Sequence, residues 1–282
     1  MTATSRSIEL QVTILATPAA IWKALSSGEG LRQWFPPIAE GGGAPGADVL
    51  LSWGEGMEWT SQNTAWDENR HLQWSDPPRP DPSAPGEMIQ MAIDWYIETA
   101  SGGRCVVRLV HSGFGTDAEW DDQYNSTTEG WMYFLFNLRH YLEHHDGTQR
   151  QAIFERRHAT VPHAAIWSRL LGDDGLRATH AGMKGVREGD RLVLTTDDGR
   201  SIPFVVGRVR PNILWGTLDS LNDGLLLIEL ETGDDYHYGI YMSLYGVPSR
   251  DIESLRKWVA AVADSSVATE SSAPAPSPAA TP

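Results

Sequence analysis

The feature that most constrains what this chain can fold into is an internal repeat. Ala19-Ala20-Ile21-Trp22 recurs as Ala164-Ala165-Ile166-Trp167, and at the same offset Leu25, Gly30 and Leu31 meet Leu170, Gly175 and Leu176. Near the end of each half, Leu138-Arg139-His140-Tyr141-Leu142 has a partner in Leu255-Arg256-Lys257-Trp258-Val259. Two copies of one plan are expected, each reading strand, helix, several strands and closing helix. The 282 residues suit two modest domains. Polar and turn residues at His145–Gln151 follow a long helical pattern and mark the boundary, which predicts domains over 1–146 and 152–263. Residues 264–282, DSSVATESSAPAPSPAATP, lack apolar periodicity and are expected to form a disordered tail.

Local signals fill in the plan. Thr17-Pro18 supplies an N-cap and a proline at the first helical position, with Ile21 and Leu25 on one face behind them. Ile89, Met91, Ile93, Trp95 and Ile97 alternate with more polar residues, the period of a sheet with one covered face, and Arg104–Phe114 continues as another strand. Thr116 and Glu119 read as a capping box for a closing helix of nearly 30 residues, carrying Trp131, Leu135, Leu138 and Leu142. The corresponding helix of the second half is expected to be about half as long. Asp198-Gly199 and Asn222-Asp223-Gly224 mark hairpins.

Charge and composition exclude several function classes. With 22 Lys+Arg against 37 Asp+Glu the formal charge is −15, a field that repels nucleic-acid phosphates and anionic lipid. No apolar run is long enough for a membrane span. The single cysteine, Cys105, rules out an intrachain disulfide and a cysteine zinc cluster. The N-terminal apolar residues Ile8, Leu10, Val12 and Ile14 alternate with polar ones, as in a strand rather than a secretory signal, so a cytoplasmic location is expected.

Three segments carry a family resemblance: TPAAIWKALSSGEGLRQWFPP (17–37), RLVHSGF (108–114) and GWMYFLFNLRHYLE (130–143). In combination and order they resemble START-like helix-grip proteins of the SRPBCC superfamily, and most of all the C-terminal domain of the activators of the 90-kDa heat-shock-protein ATPase. The second half resembles the family through AAIW, its strand count and its closing helix, and nothing there matches QWFPP or HSGF. The resemblance implies an α+β fold of two helix-grip domains, the second a degenerate copy. Each would be a curved antiparallel sheet wrapped around a long C-terminal helix, with an apolar cavity between them. Relatives carry lipids or hormones, cyclise polyketides or act as co-chaperones, so the fold does not select among these.

Nine of the twelve tryptophans lie in the first half, which makes it the candidate binding domain. The expected lining is Trp59, Trp74, Met91, Trp95, His111, Trp131 and Leu135, around a small, largely apolar ligand. His111 shares strand parity with Val107 and Leu109 and is expected to face inward as the polar orienting group. It is also the only catalytic candidate, should the cavity serve a polyketide cyclase or aromatase-like reaction. A third reading is a co-chaperone or regulator acting on a protein partner through its acidic surface, since residues 1–150 hold 9 Lys+Arg and 20 Asp+Glu. His140-Tyr141-Leu142-Glu143-His144 matches H-x-x-E-H, but helical geometry sets His140 and His144 away from the Leu138/Leu142 stripe, on the expected solvent side. No metal site and no cofactor are expected. Gly41-Gly42-Gly43 lacks the lysine of a phosphate loop, and Cys105 is expected to be a small buried hydrophobe.

Overall fold

The alternating apolar residues after Arg6 form the strand that opens the first sheet, and an equivalent strand after Arg150 opens the second. The structure is a computed structural model that describes residues 5–54, 56–84, 86–159, 161–180, 182–231 and 237–267. The first half runs β1 (Arg6–Ile14), α1 (Pro18–Ser26), α2 (Gly28–Leu31), β2 (Ile38–Gly41), β3 (Asp48–Ser52), β4 (Glu58–Asp67) and β5 (His71–Ser75). A two-residue hairpin, β6 (Arg79–Pro80) and β7 (Met88–Ile89), precedes β8 (Ala92–Thr99), β9 (Cys105–Phe114) and α3 (Asp121–His140), which ends in a π-helical turn at Tyr141–His145. The second half runs β10 (Arg150–His158), α4 (His163–Leu171), β11 (Arg191–Thr195), β12 (Ser201–Arg210), β13 (Ile213–Leu218), β14 (Gly224–Leu230), β15 (His237–Tyr245) and α5 (Ser249–Val267). Sheet order is β1-β9-β8-β5-β4-β3-β2 in the first half and β10-β15-β14-β13-β12-β11 in the second. The two orders correspond strand for strand except that β2 has no counterpart, as the repeat implies for a degenerate copy.

The repeated residues occupy equivalent places. Ile21, Trp22 and Leu25 are buried under the first sheet, and Ile166, Trp167 and Leu170 under the second. The repeated glycines have a common steric cause: a Cβ would sit 2.0 Å from the Lys23 carbonyl oxygen at Gly30 and 2.2 Å from that of Arg169 at Gly175. Thr17 caps α1 by accepting the Ala20 N–H at 3.2 Å. In HSGF, Gly113 has φ +98°, and a Cβ there would fall 2.5 Å from the Gln90 carbonyl oxygen. Gly113→Ala is therefore expected to cost about 2–3 kcal/mol, since strain at positive φ adds to a contact with rigid backbone. Urea unfolding measures this, and a loss under 1 kcal/mol would contradict it.

Several local expectations are corrected. The 89–97 strand is interrupted, with Ile89 in β7 and β8 starting at Ala92, although the inward alternation of Met91, Ile93, Trp95 and Ile97 persists. The turn before α3 is 3₁₀, and Asp117 rather than Thr116 sits at its cap position, without a side-chain bond. The second closing helix is not half-length: α5 has 19 residues against the 20 of α3 and its 5-residue π turn. The expected start of the tail at Asp264 also fails. Residues 264–267 belong to α5, tied down by an Arg157–Asp264 pair at 2.8 Å and by Ser265 Oγ donating to the Asp174 carbonyl. Residues 268–282 lie outside the described residues.

The largest departure concerns α3. Its inward side places Trp131, Leu135 and Leu138 on the first sheet, as the fold requires. Its other side is covered by the back of the second sheet, where Tyr133, Phe134 and Phe136 meet Ile213, Trp215, Leu227 and Tyr241. Leu225-Leu226-Leu227-Ile228 in β14 is apolar at successive positions because both of its faces are buried, Leu226 and Ile228 in the core with α5 and Leu227 toward α3. His140 is accordingly not on the solvent side: it is 7% exposed, stacks on Phe136, and donates from Nε2 to the Asp223 carbonyl at 2.6 Å. His144 is exposed. A helical wheel registers one covering partner, and α3 has two. No group of three or more metal-ligating side chains able to hold an ion occurs among the described residues.

Polar contacts lock the junction. After α2, the carbonyls of Gln33, Trp34, Phe35 and Pro36 have no helical partner, and Pro36-Pro37 prevents the chain from supplying one. They accept instead from Tyr245 Oη (2.7 Å), Asn137 Nδ2 (2.6 Å), Arg150 Nη1 (3.1 Å) and Arg150 Nη2 (2.5 Å). The Gln33 side chain accepts the Arg150 backbone N–H at 2.8 Å, and a bidentate Arg208–Glu129 pair at 2.9 Å ties the middle of α3 to β12. The QWFPP segment is thus completed by Asn137 of α3 and by Arg150 and Tyr245 of the second half.

Candidate functional site

Strand register determines which side chains meet beneath α3. Directly paired residues of an antiparallel sheet share a face, so one inner rung runs Ile8, His111, Ile93, Trp74, Asn63 and the next runs Leu10, Leu109, Trp95, Leu72. Trp131 and Leu135 descend from α3, and Trp34-Phe35 enters from the loop after α2, with Trp34 Nε1 donating to the Ala24 carbonyl at 2.9 Å. The resulting interior is filled by rings. Centroids lie 5.1 Å apart for Phe35–Trp131, 5.5 Å for Trp95–Trp131, 5.4 Å for Trp74–Trp95 and 4.7 Å for Phe35–Phe134.

Six of the seven expected lining residues come together: Trp74, Met91, Trp95, Trp131 and Leu135 are buried, and His111 is partly buried among them. Trp59 does not join them. It is 41% exposed at the rim, stacked on Trp53 at 5.0 Å, and Trp53 in turn touches Phe35. Sequence reasoning missed Phe35, Trp34, Phe134 and Asn63. The signal for the first two was a pair of aromatic residues at the turn that ends α2, immediately before Pro36-Pro37. A cavity of about 340 Å³ lies elsewhere, between α1, α2 and the 141–149 turn, lined mainly by polar side chains that include Lys23, Glu29, Arg32 and Gln33.

Three buried polar atoms of the interior have no hydrogen-bond partner among the described residues, two of them donors. The buried indole N–H groups of Trp74 and Trp95 find no partner among the described residues. Asn63 Oδ1 is the matching unpaired acceptor on the Trp74 rung. Trp131 Nε1 donates to His111 Nδ1 at 3.0 Å, which leaves the imidazole proton on Nε2, and Nε2 has no partner among the described residues. Burial, with a smaller contribution from the Arg79 charge, pushes the His111 pKa down to about 4. The ring is therefore neutral near pH 7, with its basic nitrogen already occupied. It can donate a hydrogen bond to a ligand oxygen, but it is poorly set to take a proton from one. Cys105 is buried, its Sγ 3.3 Å from the Ala16 carbonyl and its pKa raised by desolvation, in keeping with the inert reading.

Residues 15–143 match the family described as Activator of Hsp90 ATPase homolog 1-like protein. No curated protein matches the chain significantly. Among solved structures, the Aha1 dimer from Colwellia psychrerythraea is similar at 24% identity and a TM-score of 0.42, over 49% of this chain and 96% of that one. The di-domain ARO/CYC BexL from the BE-7585A biosynthetic pathway is similar at 11% identity and a TM-score of 0.43, over 93% of this chain and 96% of that one. MLL2253 from Mesorhizobium loti is similar at 20% identity and a TM-score of 0.42, over 49% and 96%. At TM-scores below 0.5 these likenesses say nothing about activity. No helix among the described residues is long and apolar enough to cross a membrane. Sheet order, repeat and family match together make this a two-domain protein of the START-like helix-grip fold, its first half similar to the Activator of Hsp90 ATPase homolog 1-like family.

Proposed function

We propose that the first domain binds a small, largely apolar molecule carrying at least one hydrogen-bond-accepting oxygen, between the inner sheet face and α3. The observation that supports this most is the pair of buried indole donors without an acceptor, Trp74 Nε1 and Trp95 Nε1, with the half-buried His111 Nε2 beside them. A buried N–H without an acceptor costs about 1–3 kcal/mol, which a ligand oxygen would recover. The aromatic walls supply flat apolar surface, and the Trp59–Trp53–Phe35 stack offers a rim at which rings can part. A proton-shuttling cyclase mechanism gains no specific support, because His111 Nδ1 is engaged by Trp131.

The test is native mass spectrometry of freshly purified full-length protein, joined to titration of tryptophan emission with 2-acetonaphthone and its hydrocarbon counterpart 2-ethylnaphthalene. Saturable quenching is expected, with the ketone about tenfold tighter, the equivalent of one net hydrogen bond of about 1.4 kcal/mol. His111→Phe should remove that preference while leaving 2-ethylnaphthalene within about twofold. Absence of a co-purified molecule together with no saturable quenching by either probe would overturn the reading.

A further inference from the structure

The hairpin β6–β7 brings one cation to the end of the interior that His111 occupies. Trp120 anchors the connecting loop through Nε1–H to Ser83 Oγ at 3.2 Å, and Gln90 Nε2 donates to the Asp76 carbonyl at 3.0 Å. On this support the Arg79 guanidinium lies over the Trp120 ring at 5.7 Å, and its Nη2 approaches Met91 Sδ at 3.3 Å. Met91 is one of the buried interior residues, so an exposed arginine here reaches directly onto the edge of the apolar interior.

Arg79 has no carboxylate partner among the described residues, in a chain where acidic groups outnumber basic ones by 37 to 22. Asp76, three residues away, accepts from Ser61 Oγ at 2.6 Å and feels the Arg79 charge through space without forming an ion pair with it. Arg6, Arg156, Arg157, Arg177, Arg191, Arg208 and Arg210 all contact an acid, and what sets Arg79 apart from other arginines without one, such as Arg70 and Arg104, is its contact with a buried interior side chain. Phe114 bridges the two ends of the cluster, 4.8 Å from His111 and 6.2 Å from Trp120 by ring centroid. A cation with an open face, a neutral imidazole donating from Nε2 and two unpaired indole N–H groups are therefore gathered over and inside one apolar cluster.

Resting on the binding reading above, we propose that the bound molecule is an acid: its carboxylate pairs with Arg79 at the His111 end of the interior and its ring system lies among Trp74, Trp95 and Trp131. Arginine presents a planar fork that matches a carboxylate, and pairing at the edge of an apolar site is screened less than on open surface. A monoanion fits better than a dianion. One guanidinium neutralises one charge, and a second would remain unpaired in the field of a protein of net charge −15.

The experiment compares 2-naphthoate with its neutral isostere 2-naphthamide on the full chain, by tryptophan quenching and calorimetry at pH 7.5, for wild type, Arg79→Gln and Arg79→Lys. Wild type is expected to prefer the acid at least tenfold. Arg79→Gln should lose that preference while holding the amide within about twofold, and Arg79→Lys should keep part of it. Raising salt should weaken only the acid. Equal wild-type affinity for acid and amide, or equal weakening of both by Arg79→Gln, overturns the role of Arg79 and leaves the binding reading standing. Failure of wild type to bind either probe overturns both.

Discussion

Arg150→Met is expected to lower the free energy of unfolding by about 2–4 kcal/mol, although the residue lies at the start of a second-domain strand and its main acceptors are in the first domain. Its guanidinium satisfies the carbonyls of Phe35 and Pro36, which nothing else in the sequence neighbourhood can reach. Hydrogen bonds from a charged donor contribute about 1.5–3 kcal/mol each, and an abandoned buried acceptor costs about 1–3 kcal/mol. Opposing these is relief of burying an arginine without a carboxylate, a desolvation that also lowers its pKa. Two orphaned carbonyls outweigh that relief, because methionine fills the volume but donates nothing. Urea unfolding followed by tryptophan emission is the measurement. Nine of the twelve tryptophans report on the first half, so a lowered midpoint in that signal shows the loss crossing the junction. A change below 1 kcal/mol would mean that the carbonyls find other partners. The same contacts predict that residues 1–146 alone will be poorly folded, with Tyr133, Phe134 and Phe136 uncovered.

Acidification from pH 7 to pH 4 is expected to remove about 3 kcal/mol of stability before most carboxylates titrate. His111 and His140 are both held down to about 4, chiefly by burial, against an ordinary 6.5. The unfolded chain therefore takes up their protons first. Their contribution is complete above pH 6.5 and is lost as pH falls toward 4, by up to about 3 kcal/mol each. Glu229 works in the opposite sense: burial, with Glu231 and Glu129 nearby, raises it to about 7, so its contribution is complete below pH 4.5 and lost as pH rises to 7. Two histidines against one glutamate leave a net loss on acidification worth about one proton. The midpoint of urea unfolding, measured at half-unit steps of pH, checks the sign. His140→Gln, whose amide can still donate to the Asp223 carbonyl, should flatten the curve between pH 6.5 and 4.5. An unchanged slope would show that His140 titrates normally in the folded protein.

How much of the site was legible depended on the range of the interactions involved. The inward placement of Trp74, Trp95 and His111 follows from strand alternation, and that of Trp131 and Leu135 from helical spacing, both local periodicities. Trp59 shares the inward parity of Ser61 and Asn63 but sits at the start of β4, where the sheet ends and no element covers it, which alternation alone does not show. Arg79 could not be identified from DPPRPDP. Nothing in a proline-rich loop shows that Trp120, some forty positions on, will hold it over Met91.

The sequence by itself determined two copies of one sheet-and-helix plan, their order of elements and the inward faces of most strands. These rest on repeats, caps and periods of a few residues, which act before any distant contact forms. Only the tertiary structure decided that α3 lies between two sheets, that His140 is buried, and that the carbonyls of QWFPP are completed by Arg150 and Tyr245. Those outcomes need partners some eighty or more residues apart to meet. The run Leu225–Ile228 is buried on both faces, and an apolar surface does not specify what will cover it.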